Sequence, residues 1–251
     1  MLFSEAVQRR LSEKVVSMDE ALYELSGVGV AYRHASLIAS HGAVKWAFRN
    51  LDLRIGKGET IGVMGRNGAG KSTLLRLLAG ILVPDEGKVV CRAKRVTMLS
   101  IGAGFDSYLT GRENIGLNGR LLGMTSRQIA AVRDDIIGLS GIGDAIGMPV
   151  RTYSTGMRAR LGFAIAYYAN PEVLLLDENL GVGDVEFQRK SAALIKEKLA
   201  SESQTAILVS HSVALIREIC SRAIWIEDGS IKENGDVVAV TGNYLRAVNG
   251  K

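Results

Sequence analysis

The stretch "ETIGVMGRNGAGKSTLLRLLAGIL", residues 59–82, constrains the fold of this chain more than any other. A short apolar run with the character of a buried strand enters a loop that contains Gly65, Gly68 and Gly70. An apolar pattern at helical spacing follows directly. Gly65 to Thr73 fits G-x-x-x-x-G-K-[ST], and a strand before with a helix after is the context that pattern requires. Glycines let the backbone wrap closely around phosphates, while successive N–H groups and the helix N-terminus point at the anion. Lys71 is placed to reach the β- and γ-phosphates of a nucleotide, and the Ser72 hydroxyl to bind Mg²⁺. The candidate cradle is therefore Gly65, Arg66, Asn67, Gly68, Ala69, Gly70, Lys71, Ser72 and Thr73.

The rest of the chain suits a nucleotide-binding α/β fold. Its 251 residues hold 29 glycines but only 3 prolines, an excess that points to tight functional loops rather than disorder. The runs "PEVLLLDE" and "QTAILVSH" are short, apolar and end in polar residues, as central parallel strands buried on both faces do. Residues 24–60 read as antiparallel strands and residues 105–168 as mostly helical. "AIWIEDGSI" and "KENGDVVAV" predict a late hairpin, with a terminal helix after it. The expected fold is α/β: a P-loop NTPase core with a mostly parallel sheet, an N-terminal antiparallel β-subdomain and an inserted α-helical subdomain. Residues 24–251 form one nucleotide-binding domain. Residues 1–23 form an N-terminal extension, a candidate amphipathic helix with Leu2, Phe3, Val7, Leu11 and Val15 at helical spacing. Docking on its own domain and binding a partner or a membrane surface both fit that pattern.

Charge and cysteine usage exclude some classes. The net charge of +5 comes from dispersed basic residues without interleaved aromatics, which argues against nucleic acid as the partner. Anionic small ligands or an anionic membrane surface account for it equally well. Cys91 and Cys220 show neither metal-ligand spacing nor a disulfide framework, so a reducing compartment is expected. The N-terminus "MLFSEAVQRR" lacks the apolar run of a secretory signal. The longest uncharged stretch is too short and polar to span a bilayer. A soluble protein is expected, with any membrane association made through a partner or a surface helix.

Three further segments carry chemistry. "VLLLDE" ends a buried strand in Asp177 and Glu178. Two adjacent carboxylates there are costly without partners or work. Asp177 is expected to hold Mg²⁺, and Glu178 to polarise the attacking water as general base. "ILVSH" ends another strand in His211, at the carboxyl edge where open α/β sheets bind ligands. "YSTGMRARLGFAIAYY", residues 153–168, is a helix whose distinctive part is its start: Ser154 is a good N-cap, and Gly156 leaves the first N–H groups unobstructed. A helix start of that kind favours an anion. The chain already has a phosphate loop, so this second start is either an ordinary cap or meant for the nucleotide of another copy.

The phosphate loop, "YSTGM", "LLLDE" and "VSH" in that order resemble the ATP-binding-cassette ATPases over about residues 24–235. The resemblance implies that Ser154, Thr155 and Gly156 complete the ATP site of a facing copy, meeting the γ-phosphate of ATP held by the partner's Lys71. It also implies that Asp184 in "GVGD" communicates across the homodimer and that Tyr32 in "VAYR" stacks on adenine, with Trp46 as the competing aromatic. "LTGREN", "YSTGMRARLGFA", "DENLGVGD" and "LVSHS" are similar to the exporters of O-antigen, capsular polysaccharide and teichoic acid. That likeness implies an ATPase and translocase subunit, with ATP and Mg²⁺. It would work beside an integral membrane permease on lipid-linked polysaccharide, at the cytoplasmic face of a bacterial inner membrane. With "TGNYLRAVNGK" as the last segment read, no added carbohydrate-binding domain is expected, and selection of the glycan is expected to fall to the permease.

The chain departs from the family pattern at several points. Thr155 and Met157 stand where the usual signature has a glycine and a glutamine, and Asn179 where a proline usually follows the acidic pair. No glutamine lies between Lys94 and Thr110, where the Gln-loop residue belongs. Coupling to the permease is therefore expected to run through "SIGAGFDSYL", where Phe105 and Tyr108 either meet a partner helix or fill the core. An exporter of another substrate and a soluble cassette ATPase acting on nucleic acid are the alternatives. A GTPase would need an Asn-Lys-x-Asp motif, and the chain has no Asn-Lys pair.

Overall fold

The computed structural model describes residues 21–33, 44–98, 104–177, 184–200 and 204–249. These fall into two compact units, one within Met1–Ala93 and Glu202–Lys251, the other within Lys94–Ser201. The extension at 1–20, with its candidate amphipathic helix, lies outside the described residues.

In the first unit, β1 (Ala21–Arg33) pairs antiparallel with both β2 (Val44–Gly56) and β4 (Glu86–Cys91). This is the expected N-terminal antiparallel sheet, but it starts earlier than the helical spacing of residues 1–22 suggests. Tyr23 lies opposite Ile55 on one side and Cys91 on the other, and its buried hydroxyl donates to the Leu78 carbonyl at 2.8 Å. Ladder pairing on both sides and a buried aromatic outweigh helical periodicity at Ala21–Tyr23.

A second sheet of this unit centres on β3 (Thr60–Met64), which is parallel to both β7 (Thr205–Val209) and β8 (Arg222–Glu227). Every residue of β3 and β7 is buried, as continuous apolar runs in a parallel sheet should be. β9 (Ser230–Asp236) adds antiparallel to β8. The expected hairpin is thus present, but "VVAV" is not part of its second strand. Asp236 accepts the N–H groups of Val238 and Ala239, both at 3.0 Å, and so starts the terminal helix at Val237. That helix, Val237–Asn249, packs Tyr244 edge-on against Trp225 of β8, with centroids 5.6 Å apart.

The second unit contains the parallel pair β5 (Val96–Met98) and β6 (Val173–Leu176), with a helical layer between them in sequence. That layer comprises α2 (Gly111–Leu121), α3 (Ser126–Ser140) and α4 (Thr155–Ala169), numbered after α1 (Lys71–Leu78) of the first unit. Ile115, Ile129, Ile136, Leu161 and Ile165 form its core. Both α2 and α3 open on capping boxes, Thr110 with Glu113 and Thr125 with Gln128. α5 (Val185–Ala200) follows. Among the described residues, no helix is long and apolar enough to cross a membrane.

Candidate functional site

The chain leaves β3 at Met64 and turns at once into the glycine loop. A Cβ on Gly65 would lie 2.2 Å from the Ile226 carbonyl oxygen, so only glycine fits where the loop crosses β8. Gly70 begins α1 in the left-handed region, with φ at 104°, and a Cβ there would sit 2.9 Å from the Ala47 carbonyl oxygen. At Gly68 the space a Cβ would take is open, so the crest of the loop is accessible. Lys71 is only 6% exposed, and its ammonium donates to the carbonyls of Gly65 at 2.8 Å and Arg66 at 3.0 Å. A buried ammonium is costly unless it is hydrogen-bonded, and these loop carbonyls hold it. α1 has no side-chain cap and no acidic residue in its first turn, so its N–H end is left for an anion. Around it Arg66, Asn67 and Ser72 are exposed, while Ala69 and Thr73 are buried. A phosphate chain fits this arrangement of open crest, buried cation and uncapped helix.

The two candidate aromatics separate cleanly. A bulge at Ala47 puts Val30 opposite Phe48 but Ala31 opposite Trp46, so Tyr32 and Trp46 lie on opposite faces of the hairpin. Tyr32 shares the side of Val30 and Phe48, and its hydroxyl shares a 3.0 Å hydrogen bond with Thr73 Oγ1 in α1. Trp46 lies on the other side, against Gly29, with the Arg49 guanidinium 4.6 Å from its ring centroid. Arg49 is itself paired with Glu86 at 2.7 Å, so that group is a surface assembly turned away from the loop.

His211 emerges just after β7, whose Val209 lies beside Val63 of β3, and the Ser210 N–H donates to the Val63 carbonyl at 3.3 Å. The exposed His211 therefore stands at the carboxyl edge next to the strand that feeds the loop. Ser212 follows it as the N-cap of α6 (Val213–Ile219), accepting from the Leu215 N–H at 3.2 Å. In the first unit the fold thus brings together the glycine loop, Tyr32 and His211.

The second unit holds the other candidates. Asp177 follows β6 and is half-buried, while Glu178 lies outside the described residues. Ser154 caps α4, its Oγ accepting from the Met157 N–H at 3.1 Å. Ser154 and Thr155 are exposed and Gly156 half-buried, whereas Leu161, Phe163, Ala164 and Ile165 are buried. Asp184 caps α5 through the Phe187 N–H at 2.9 Å and lies 3.8 Å from the Arg160 guanidinium of α4. Phe163 and Phe187 meet edge-on at 5.5 Å, so the first turn of α5 packs against the middle of α4.

Sequence reasoning missed Asn114. It is fully buried and ties down the preceding loop: its amide donates to the carbonyls of Asp106, Leu109 and Thr110 at 2.9–3.2 Å, and its oxygen accepts from the Asp106 N–H. The visible signal is an asparagine one turn inside a helix that opens on a threonine cap. The loop it holds separates the two proposed interface aromatics. Phe105 packs against the helical core, and Tyr108 is 77% exposed beneath the Arg151 guanidinium.

The chain is similar to known proteins in sequence and in fold. A family model described as ABC transporter matches residues 48–181. The chain is 42% identical to the O-antigen export system ATP-binding protein RfbB of Myxococcus xanthus, over 86% of this chain and 48% of that protein. It is 40% identical to a protein of the same description from Klebsiella pneumoniae, over 80% of this chain and 82% of that one. It spans about half the length of the Myxococcus protein and 37% of a teichoic acids export protein TagH from Bacillus cereus. The dimeric ATP-binding cassette MJ0796, solved with ADP and Pi, superposes with a TM-score of 0.69 at 21% identity, over 86% of this chain and 98% of that one, which shows a shared fold. With the family model, the Klebsiella relative and the loop geometry in agreement, the chain belongs to the ABC transporter family.

Proposed function

We propose that this chain is the ATP-hydrolysing subunit of an exporter of lipid-linked cell-surface polysaccharide. The observation that carries the nucleotide part is the Lys71 ammonium, buried against the carbonyls of an open glycine loop at an uncapped helix start. In this reading Lys71 neutralises the β- and γ-phosphates, and the N–H groups at the start of α1 hold their oxygens. The Ser72 hydroxyl and the Asp177 carboxylate are the proposed Mg²⁺ ligands, and the ion would supply charge neutralisation on the phosphate oxygens. Glu178 takes the proton of the attacking water. His211, at the carboxyl edge beside the loop, is proposed to hydrogen-bond the γ-phosphate side of the site. The exposed start of α4, with Ser154, Thr155 and Gly156, serves ATP held by the partner subunit's Lys71. Two copies then close head-to-tail on two ATP molecules, with Asp184 relaying between the sites.

The export part is supported by the descriptions of the Myxococcus and Klebsiella relatives. A membrane permease is the expected partner, placing the chain on the cytoplasmic face of a bacterial inner membrane. In cells, Lys71→Ala should leave the glycan made on its carrier but retained inside. Surface labelling combined with measurement of the internal lipid-linked pool checks this. Normal surface polysaccharide without internal build-up would point to another exported substrate.

A further inference from the structure

We infer that Thr73 is a positioning residue for the nucleobase: through its bond to Tyr32 it fixes the ring on which the base stacks relative to the loop that holds the phosphates. The inference rests on the reading of the glycine loop as an ATP site and of Tyr32 as the aromatic beside its base. Thr73 sits in the first turn of α1, two residues after Lys71, and is 8% exposed. Its buried hydroxyl shares a 3.0 Å hydrogen bond with the phenol of Tyr32, which is 38% exposed. An aromatic ring at the end of a strand beside an open loop has rotamers to lose before it can serve as a stacking platform. The bond to Thr73 removes that freedom in advance and sets the distance from ring to phosphate loop. Tyrosine supplies both a π-face and a hydroxyl at the far end of the ring, which phenylalanine lacks. Among the described residues Trp46 has no comparable link, since it faces away from Tyr32 under the Arg49 guanidinium.

The experiment measures binding of ATP and of inorganic tripolyphosphate, which has phosphates but no base, to the full chain. Tyr32→Phe keeps the ring and removes the tether, so ATP should bind roughly three- to tenfold more weakly, the loss expected for one hydrogen bond. Tripolyphosphate affinity should stay at the wild-type value. Thr73→Val should weaken ATP binding further than Tyr32→Phe, because Thr73 also belongs to the loop. Thr73→Ser, which keeps the hydroxyl, should restore the affinity ratio of ATP to tripolyphosphate. Adding Tyr32→Phe to Thr73→Val should cost nothing more in that ratio, the sign that the two side chains act through one bond. Trp46→Phe should match wild type for both ligands. Equal ATP affinity in Tyr32→Phe and wild type, or additive losses in the double variant, would overturn the positioning role. A wild-type chain that binds neither ligand would instead overturn the ATP-site reading on which it rests.

Discussion

Two helices of this protein begin at glycine-containing turns suited to anions, and they are built differently. α1 starts at Gly70 with no side-chain cap, a buried Lys71 and its loop already shaped. α4 starts at Ser154, whose hydroxyl is engaged with the Met157 N–H of its own helix, and its first residues are exposed. The first start has no side-chain cap, and the second caps itself. A self-capped start costs the isolated chain nothing, and it can be offered to a surface that arrives from outside. The difference suits a nucleotide that binds first at α1 of one copy and meets α4 of another afterwards.

The largest effect should come from the group that neither start supplies. Glu178→Gln should lower ATP turnover by roughly 10²- to 10⁴-fold while leaving MgATP binding intact. Measured side by side, single-turnover hydrolysis and equilibrium binding separate the two quantities. Near wild-type turnover would remove Glu178 from the role of base. The same variant should double in mass with MgATP in solution and revert without it. A constant mass with nucleotide confirmed bound would break the contrast between the two starts.

Ser154 offers a sharper cut. Ser154→Ala removes the cap and should cost about 1 kcal/mol of stability in denaturant unfolding. Ser154→Asp keeps a capping oxygen, so stability should remain close to wild type, but it sets a carboxylate against the incoming phosphate. ATP-driven dimerisation should therefore fail in Ser154→Asp although the monomer still binds ATP. Dimerisation at the wild-type level in that variant would make α4 an ordinary capped helix.

A smaller effect separates two aromatics of the second unit. Phe105→Ala should lower ATPase activity and transport together, because it packs on the helical core. Tyr108→Ala should lower transport more than ATPase, because the ring is exposed. Equal loss of both activities in Tyr108→Ala would return it to a structural role.

The smallest effect is a pH dependence at the far end of α4. Lys198 of α5 donates to the Tyr167 carbonyl and lies with its ammonium 4.7 Å from the Tyr167 ring centroid. Burial pushes its pKa down to about 8 from the ordinary 10.5. The folded chain thus binds fewer protons at this site than the unfolded chain between those values. The penalty for burying the ammonium is full below about pH 8 and is relieved as pH rises toward 10.5. Thermal unfolding at pH 7 and pH 9.5 should therefore show a relative gain at the higher pH. Lys198→Met should lack that gain.

Much of this was legible in the sequence because the informative signals were local. The strand, the glycines and Lys71 follow one another without a gap, and the apolar runs of β6 and β7 read directly as buried strands. That Tyr32 and Trp46 lie on opposite faces of the hairpin was not legible, because it turns on a one-residue bulge at Ala47 that flips side chains between faces. The placement of "VVAV" was missed for a similar reason: four apolar residues fit a strand or a helix, and the Asp236 carboxylate decides. Asn114 carried no periodic signal at all, since its role lies in bonds to the carbonyls of a loop.

The claim that one nucleotide is served by helix starts from two copies is tested most directly by mixing two defective chains. Lys71→Ala lacks the cation of α1, and Ser154→Asp spoils the start of α4. Each alone should hydrolyse little ATP. In a mixed dimer, one composite site pairs the intact Lys71 of one chain with the intact Ser154 of the other. The account predicts that ATPase activity of the mixture rises well above the sum of the two separate preparations, with a maximum near equimolar mixing. Activity no greater than that sum at every ratio, with both chains folded and Ser154→Asp confirmed to bind ATP, would contradict it.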